Sequence, residues 1–174
     1  MWLPWHFTKH LQKHASDMRS FLTDDFRGLD LESRRRKAAE VRNMSAIAAG
    51  AIAPMPIPFA DIWTITPIQM LMVRAIGNIY GYGLDAKTAG AVFATVGGGW
   101  LGRQAFLALL KLGLPGIGEA GSAAFAYFWT LGMGRAAEAY FASGMQASKH
   151  DIEQAAISEG GRRPIAPPPP HQES

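Results

Sequence analysis

The chain has 174 residues, a formal net charge of +3 at pH 7 and no cysteine. This length suits a single domain with a buried core, and the lack of cysteine excludes a disulfide framework, a thiolate nucleophile and a cysteine metal site. Only 18% of the residues are charged, against about 25% in an average globular protein, which favours a membrane-associated or unusually apolar helical protein.

The first predicted element is an amphipathic helix that ends or bends near Gly28. Its apolar residues recur at steps of three and four, as on one face of a helix: Phe7, Leu11, Ala15, Met18, Leu22, Phe26 and Leu29. Trp2 and Trp5 precede this helix and suit either a lipid headgroup boundary or packing on the core. The opening residues do not resemble a secretory signal, so we expect the N-terminus in the cytoplasm.

Three histidines on this helix are the only metal candidates in the chain. His6, His10 and His14 are spaced by four residues. Each such step rotates the side chain by about 40° around the helix, which spreads the three rings too far for easy coordination of one ion. We therefore expect no metal and no cofactor.

A second helix is predicted from Leu31 to Arg42. It carries a basic run, Arg34, Arg35, Arg36 and Lys37. Such a run is typical of a surface that meets anionic lipid or of a face that meets solvent. Residues 1–43 are thus predicted to form a basic amphipathic helical arm.

The next stretch is apolar but broken by prolines. Asp61 is the only charged residue between Met44 and Val73, and Pro54, Pro56 and Pro58 stand in alternate positions. A helix cannot continue through three such prolines, so residues 44–80 are predicted to form a folded-back or re-entrant hairpin. Asp61 either caps a helix, pairs with a basic residue of the second hairpin, or contacts an ion or ligand.

The second arm of this hairpin has a start signal in Thr66-Pro67-Ile68-Gln69. This order matches a capping box, in which the Gln69 side chain reaches back to the helix start and proline occupies the first position. The helix should reach about Tyr80 and stop at Gly81.

A second apolar hairpin is predicted over residues 86–147. Asp85 should cap a helix from Ala86 to about Leu112, and a fourth helix should run from Ile117 to Ala147. Small residues at four-residue spacing predict close contact between these two helices, and they include Gly98, Gly102, Gly118 and Ala126. Gly116 lies in the turn. Residues 44–148 thus form the apolar domain, and residues 149–174 are predicted to be a disordered proline-rich tail.

Two glycine-rich segments resemble nucleotide-binding motifs without their context. Residues 116–121 match GxGxxG, but no strand precedes them, and residues 97–104 lack the lysine and hydroxyl residue of a P-loop. No arrangement of nucleophile, base and acid stands out. We therefore predict that the chain is not an enzyme.

Three blocks within residues 50–141 carry a family resemblance: PIPFADIWTITPIQMLMVRAIGNIYG, GGGWLGRQAFLALLKLGLPGIG and LGMGRAAEAYF. Together they resemble the YcjF-like domain-of-unknown-function family number 697. The resemblance implies a helical, membrane-associated module that is often fused to, or encoded near, GTPases of the Era or dynamin-like kind. No GTPase domain is present in this sequence.

The sequence therefore predicts an all-α fold with amphipathic N-terminal helices followed by two apolar hairpins, associated with a membrane. The expected function is that of a non-enzymatic adaptor or scaffold that assists a separate GTPase. We expect it at the cytoplasmic membrane with both termini in the cytoplasm, forming a homo-oligomer and binding no nucleic acid. The alternatives are a soluble cytoplasmic helical protein that self-assembles through its apolar faces, and a lipid-binding or membrane-perturbing protein.

Overall fold

A computed structural model describes residues 16–52, 65–97 and 119–157, and every regular element in these ranges is helical. The helices are α1 (16–23), α2 (Leu31–Ile52), α3 (Thr66–Ile79), α4 (Ala86–Gly97), α5 (Glu119–Ala142) and α6 (Lys149–Ile157). The predicted all-α class is confirmed.

Helix α5 is the centre of the fold. It contacts α2, α3, α4 and α6, while α3 also contacts α2 and α4. The main core lies between these helices, and its largest fully buried side chains include Val41, Met72, Ile76, Met133 and Phe141. Burial of such side chains is the main favourable term in folding, worth about 1.5–3 kcal/mol each.

Helix α2 crosses the predicted boundary between the basic arm and the apolar domain. The arm was expected to end at residue 43, but one helix continues from Leu31 to Ile52. Its sequence contains no proline and is rich in alanine and other good helix formers, so nothing interrupts the backbone at this point. Asp30 caps its start by accepting hydrogen bonds from the Ser33 N–H and hydroxyl, both at 2.9 Å, and these bonds lower the pKa of Asp30.

Helix α1 ends earlier than predicted, at residue 23 rather than near Gly28. The cause is a side chain from α3. The Asn78 amide donates hydrogen bonds to the carbonyls of Phe21 at 3.0 Å and Asp24 at 2.9 Å. These bonds satisfy carbonyls that a continuing helix would have used.

Helix α3 begins and ends near the predicted residues, but the predicted capping box is wrong. The residue before the helix is Ile65, no side chain caps the helix start, and Pro67 lies in its first turn. Gln69 is buried and its amide donates to the Thr130 hydroxyl of α5 at 3.0 Å. At the other end, Gly81 adopts a φ of 91° and terminates the helix as predicted.

Helix α4 begins as predicted, with Asp85 as its cap. The Asp85 carboxylate accepts a hydrogen bond from the Thr88 N–H at 2.6 Å, and the bonds from Thr88 lower the pKa of Asp85. The predicted small-residue interface with α5 is not formed by the described part of α4. Ala86 and Ala94 are exposed, and the buried side chains of α4 are Ala89, Val92 and Val96.

The small residues of α5 instead face α2 and α3. Ala126 clusters with Ala49 of α2 and Ile65, next to the start of α3. A Cβ placed on Gly134 would lie 2.6 Å from Cγ of Arg42 and 3.1 Å from the Met72 sulfur. The row thus allows close packing, but its partners are α2 and α3 rather than α4.

Helix α5 ends at Ala142, five residues before the predicted end, and residues 149–157 form α6 instead of a disordered tail. The chain turns at Gly144, with a φ of 72°. Ser148 and Asp151 form a reciprocal capping box: Ser148 N–H donates to Asp151, and Asp151 N–H donates to the Ser148 hydroxyl, both at 3.2 Å. Ile152 and Ala156 of α6 are then buried in the main core.

The turn after α5 contains a strained residue that predicts a stabilising substitution. Met145 has a φ of 62°, where side chains other than glycine are disfavoured, and its side chain is exposed. We expect Met145→Gly to raise the free energy of unfolding by about 0.5–1 kcal/mol because it relieves this strain. Met145→Ala, which keeps the strain, is the control, and urea unfolding is the measurement. An equal gain for both variants would assign the effect to loss of the exposed side chain.

Candidate functional site

Within the described ranges, and apart from Glu119, the first residue of α5, one half of the helical bundle contains no acidic or basic residue. The half consists of residues 44–52 of α2, 65–73 at the start of α3, 88–97 of α4 and 120–134 of α5, and we call it the charge-free half. Contacts align the segments of α2, α3 and α5. A Cβ on Gly50 would lie 3.2 Å from the Ala123 carbonyl oxygen, and Gln69 bonds to Thr130. Helix α4 packs beside α3, where a Cβ on Gly90 would lie 3.7 Å from the Met70 methyl group.

Large apolar side chains are exposed on three helices of this half. Phe128 of α5 is 67% exposed, Ile47 of α2 is 57% exposed and Leu71 of α3 is 41% exposed. Helix α4 adds the small exposed residues Ala91, Ala94 and Thr95. The helical positions place Ile47 and Phe128 on the side of the α2–α5 pair that faces away from α3, whereas Leu71 is on the outer side of α3 itself. Apolar surface therefore faces solvent on more than one side of the bundle.

The interior of the charge-free half contains a buried polar contact. Gln69 and Thr130 are 3% and 0% exposed and bond to each other across α3 and α5. Ser45 of α2 is equally buried, and within the described ranges its hydroxyl oxygen has no hydrogen-bond partner. Buried polar groups of this kind require partners, so the Gln69–Thr130 bond fixes the position of α3 along α5.

An ion pair joins α2 and α5 at the boundary between the charge-free half and the charged residues. Arg42 of α2 donates to the Glu138 carboxylate of α5, and the two side chains are 14% and 18% exposed. The Tyr80 hydroxyl donates to the other carboxylate oxygen at 3.2 Å. Burial first, and then the neighbouring Glu138 charge, raise the pKa of Tyr80. The tyrosine therefore stays neutral and serves as a hydrogen-bond donor to Glu138.

The predicted basic surface run, Arg34 to Lys37, is mostly used inside the fold. Arg34 donates to the carbonyls of Arg27, Leu29 and Tyr80, at 2.9, 3.0 and 3.3 Å. The Lys37 ammonium lies 5.6 Å and 5.5 Å from the ring centres of Phe21 and Phe26, a cation–π geometry.

Arg35 lies close enough to Tyr80 to lower its pKa, although the raising effects are larger. Arg36 is the one exposed member of the run. These residues therefore attach the segment before α2 to the bundle, and the predicted lipid-facing or solvated run is reduced to Arg36.

Metal-ligand clusters and clefts would be further candidate sites among the described residues. These residues contain no cluster of three or more potential metal ligands. A cleft of about 330 Å³ lies beside the turn between α3 and α4 and is lined by Leu22, Arg74, Asn78, Gly83, Leu84 and Asp85. Its polar side chains already bind backbone groups: Asn78 holds α1, and Arg74 Nε donates to the Leu84 carbonyl at 2.9 Å.

Many of the predicted site residues lie outside the described ranges. They are Trp2, Trp5, His6, His10, His14, Pro54, Pro56, Pro58, Asp61, Gly98, Gly102, Gly116 and Gly118. The same holds for most of the two nucleotide-like motifs. Within the described ranges, Gln69 bonds to Thr130, and Ala126 packs against Ala49 and Ile65. Both residues therefore lie in the interior of the charge-free half.

Among the helices of the described ranges, none combines the length and the hydropathy that a membrane crossing requires.

A family profile for a domain of unknown function, DUF697, matches residues 22–158. The chain belongs to the DUF697 family. The matched region is wider than the resemblance seen in the sequence, because it includes most of the segment before Met44 and all of α6. This agrees with the structure, in which α1, α2 and α6 all pack into the same core.

One relative adds a link to membranes. The chain is 31% identical over 91 residues to magnetosome membrane protein 22 of Magnetospirillum gryphiswaldense, a match that covers 50% of this chain and 41% of that protein. The chain thus matches less than half the length of this relative. No solved structure matches the chain.

Proposed function

We propose that this DUF697 protein is a non-enzymatic, membrane-associated helical scaffold whose charge-free half inserts into lipid. The exposure of Ile47, Leu71 and Phe128 on three different helices carries the proposal. An exposed apolar surface in a folded protein usually marks a site for another molecule or a membrane. The other half, which carries the charged residues, remains in water and presents a surface to partners.

The distribution of the exposed side chains favours lipid over a second copy of the chain. A symmetric dimer buries one patch on each subunit, which would cover one side of the bundle and leave the others in water. Lipid contacts every side at the same depth. Exposure on one side of the α2–α5 pair and on the outer side of α3 therefore fits a bilayer better than the alternative of a soluble protein that self-assembles through apolar faces.

The dimensions of the charge-free half favour shallow insertion. Its segments on α2 and α3 each extend roughly 13 Å and that on α5 roughly 22 Å, at 1.5 Å per residue. The hydrocarbon core of a bilayer is about 30 Å thick. Each segment is thus shorter than the core, so the described part suits partial insertion from one side, as the folded-back hairpin of the sequence analysis also requires.

The orientation and partners follow as parts of the same proposal. The first described helix, α1, is bonded to Asn78 of α3, and the last, α6, follows the charged end of α5. Both helices therefore lie at the charged half. Both ends then lie on one side of the membrane, which we take to be the cytoplasmic side. The name of the magnetosome relative supports membrane association. The YcjF-like resemblance favours a separate GTPase as a partner of the charged half. Self-association on the membrane is expected as well.

The test is co-flotation of the full chain with phosphatidylcholine vesicles. We expect the double variant Ile47→Asn/Phe128→Asn to lose most of its binding, because each substitution removes roughly 1.5–3 kcal/mol of apolar transfer. The matched control is Leu31→Asn/Ile157→Asn, since these two side chains are 51% and 49% exposed but lie in the charged half. Their binding should be unchanged.

Two outcomes would contradict the proposal. If the wild-type chain stays at the bottom of the gradient, it does not bind lipid. If the two double variants lose binding equally, the charge-free half is not the contact surface. Sedimentation equilibrium without vesicles tests the alternative of self-assembly. Under that alternative the wild-type chain is an oligomer, and only the variant Ile47→Asn/Phe128→Asn dissociates.

A further inference from the structure

Where the charge-free half meets the rest of the bundle, the first charges on the four helices share one sign. On each of the four helices, the first charged residue met on going from this half toward the charged half is basic: Arg42 on α2, Arg74 on α3, Lys87 on α4 and Arg135 on α5. Glu119 lies at the opposite end of α5. The chain as a whole has 17 basic and 14 acidic residues. Four basic residues at the four equivalent positions are therefore not explained by overall composition. We call these four residues the cationic collar.

Contacts place the collar at one depth of the bundle. Gly134, next to Arg135, adjoins the side chains of Arg42 and Met72, as the short Cβ distances show. On the other side, Arg74 donates to the Leu84 carbonyl just before α4. The two halves of the collar are linked because Met72 and Arg74 are two residues apart on α3, roughly 3 Å along its axis. The four basic residues thus surround the bundle at the level where the apolar surface ends.

The acidic residues of the same region come after the cations. On α5, Glu138 lies roughly 4.5 Å beyond Arg135, and at the start of α4, Asp85 lies roughly 3 Å beyond Lys87, at 1.5 Å per residue. Glu138 neutralises Arg42, and Arg74 lies near enough to Asp85 to lower its pKa. Lys87 is exposed in the first turn of α4. Going from the charge-free half toward the charged half, the order along α4 and along α5 is therefore apolar, basic, acidic.

We propose that the cationic collar, chiefly through its exposed member Lys87, binds the phosphate groups of anionic phospholipids. This inference rests on the proposed function, since the collar meets headgroups only if the charge-free half is inserted. Lysine and arginine side chains can lie along apolar surface while their charged ends reach the phosphate layer. A basic residue near an anionic membrane surface strengthens binding about fivefold.

The test compares the binding of the full chain to two kinds of vesicle, one of phosphatidylcholine alone and one containing about one third phosphatidylglycerol. We expect wild type to bind the anionic vesicles at least several-fold more tightly. Lys87→Gln should lower binding to the anionic vesicles about fivefold and leave binding to the neutral vesicles unchanged. Lys149→Gln is the matched control because it removes the same charge from an exposed position of α6, in the charged half, and it should change binding less than twofold.

The outcomes separate this inference from the proposed function. Equal binding of wild type to neutral and anionic vesicles, or equal losses for Lys87→Gln and Lys149→Gln, would overturn the collar while leaving membrane insertion intact. Failure of wild type to bind either vesicle would overturn both. A gain-of-charge variant, Thr88→Lys, adds an exposed cation at the same level and should strengthen binding to anionic vesicles. No gain in this variant would also contradict the collar.

Discussion

Replacing Glu138 with leucine is expected to lower the free energy of unfolding by about 3 kcal/mol, the lower end of the range for breaking a buried ion pair. Arg42 would keep its charge in a site where its side chain is 14% exposed, and the Tyr80 hydroxyl would lose its acceptor. The lower end applies because the pair is only partly shielded from water. Urea unfolding followed by circular dichroism measures the effect.

A double-mutant cycle tests whether the ion pair causes this loss. Arg42→Met/Glu138→Leu removes both charges and should be more stable than Glu138→Leu alone, because no unpaired charge remains. Glu40→Ala, at an exposed position of α2, controls for loss of an acidic residue and should change stability by less than about 0.5 kcal/mol. Additive losses from Arg42→Met and Glu138→Leu would show that the pair is not coupled.

Gly134→Leu is expected to lower the free energy of unfolding by about 3 kcal/mol, at the upper end of typical overpacking costs. Any side chain at this position begins 2.6 Å from Cγ of Arg42 and 3.0 Å from its Cδ. Because Cγ is close to the α2 backbone, Arg42 cannot move aside without disturbing its ion pair with Glu138. The loss should therefore combine overpacking with displacement of the pair.

The comparison variant for Gly134→Leu is Ala126→Leu, two turns earlier on α5. Ala126 is 3% exposed and packs against Ala49 and Ile65, but it adjoins no charged residue. Its replacement should cost about 1–3 kcal/mol by overpacking alone. In the Arg42→Met background, the cost of Gly134→Leu should fall while that of Ala126→Leu stays the same. If the costs of both substitutions change equally in this background, the cost of Gly134→Leu does not depend on the ion pair.

Local signals in the sequence predicted the end of α3 and the start of α4. Asp85 before Ala86 and Gly81 after Tyr80 act through bonds and dihedral angles within a few residues, so their effect is visible without the fold. The same kind of signal, Ser148 to Asp151 before Ile152, marks α6, and it was available in the sequence. The glycines and prolines that follow residue 159 favoured a disordered tail, and the Ser148–Asp151 capping box lies just before them.

Contacts between distant helices were less accessible to sequence reasoning. The small-residue row of α5 predicts close packing, but spacing alone does not say which helix fills the space, and α2 and α3 do so instead of α4. Gln69 has the position of a capping-box residue in the sequence, but in the fold its amide donates to the buried Thr130 hydroxyl instead. Arg42 and Glu138 lie 96 residues apart, and each resembles an ordinary helix charge until α2 and α5 are packed together. The contacts that Arg34 and Lys37 make with residues before α2 depend on the fold in the same way.

The charge-free half was partly visible in the sequence as uncharged stretches. Its meaning depends on the fold, because only the packing of four helices brings those stretches to one end and leaves side chains exposed on several sides. The central claim is that this end lies in lipid.

Depth measurement with single cysteines tests this claim most directly, since the chain has no cysteine of its own. An environment-sensitive fluorophore would be attached in turn at Ile47, Leu71 and Phe128, and at Leu31 and Ile157 as controls, on vesicle-bound protein. We predict that nitroxide-labelled lipid quenches the first three and that aqueous iodide quenches only the last two. Iodide quenching of all five positions, or lipid quenching at only one of the three helices, would contradict insertion of the charge-free half.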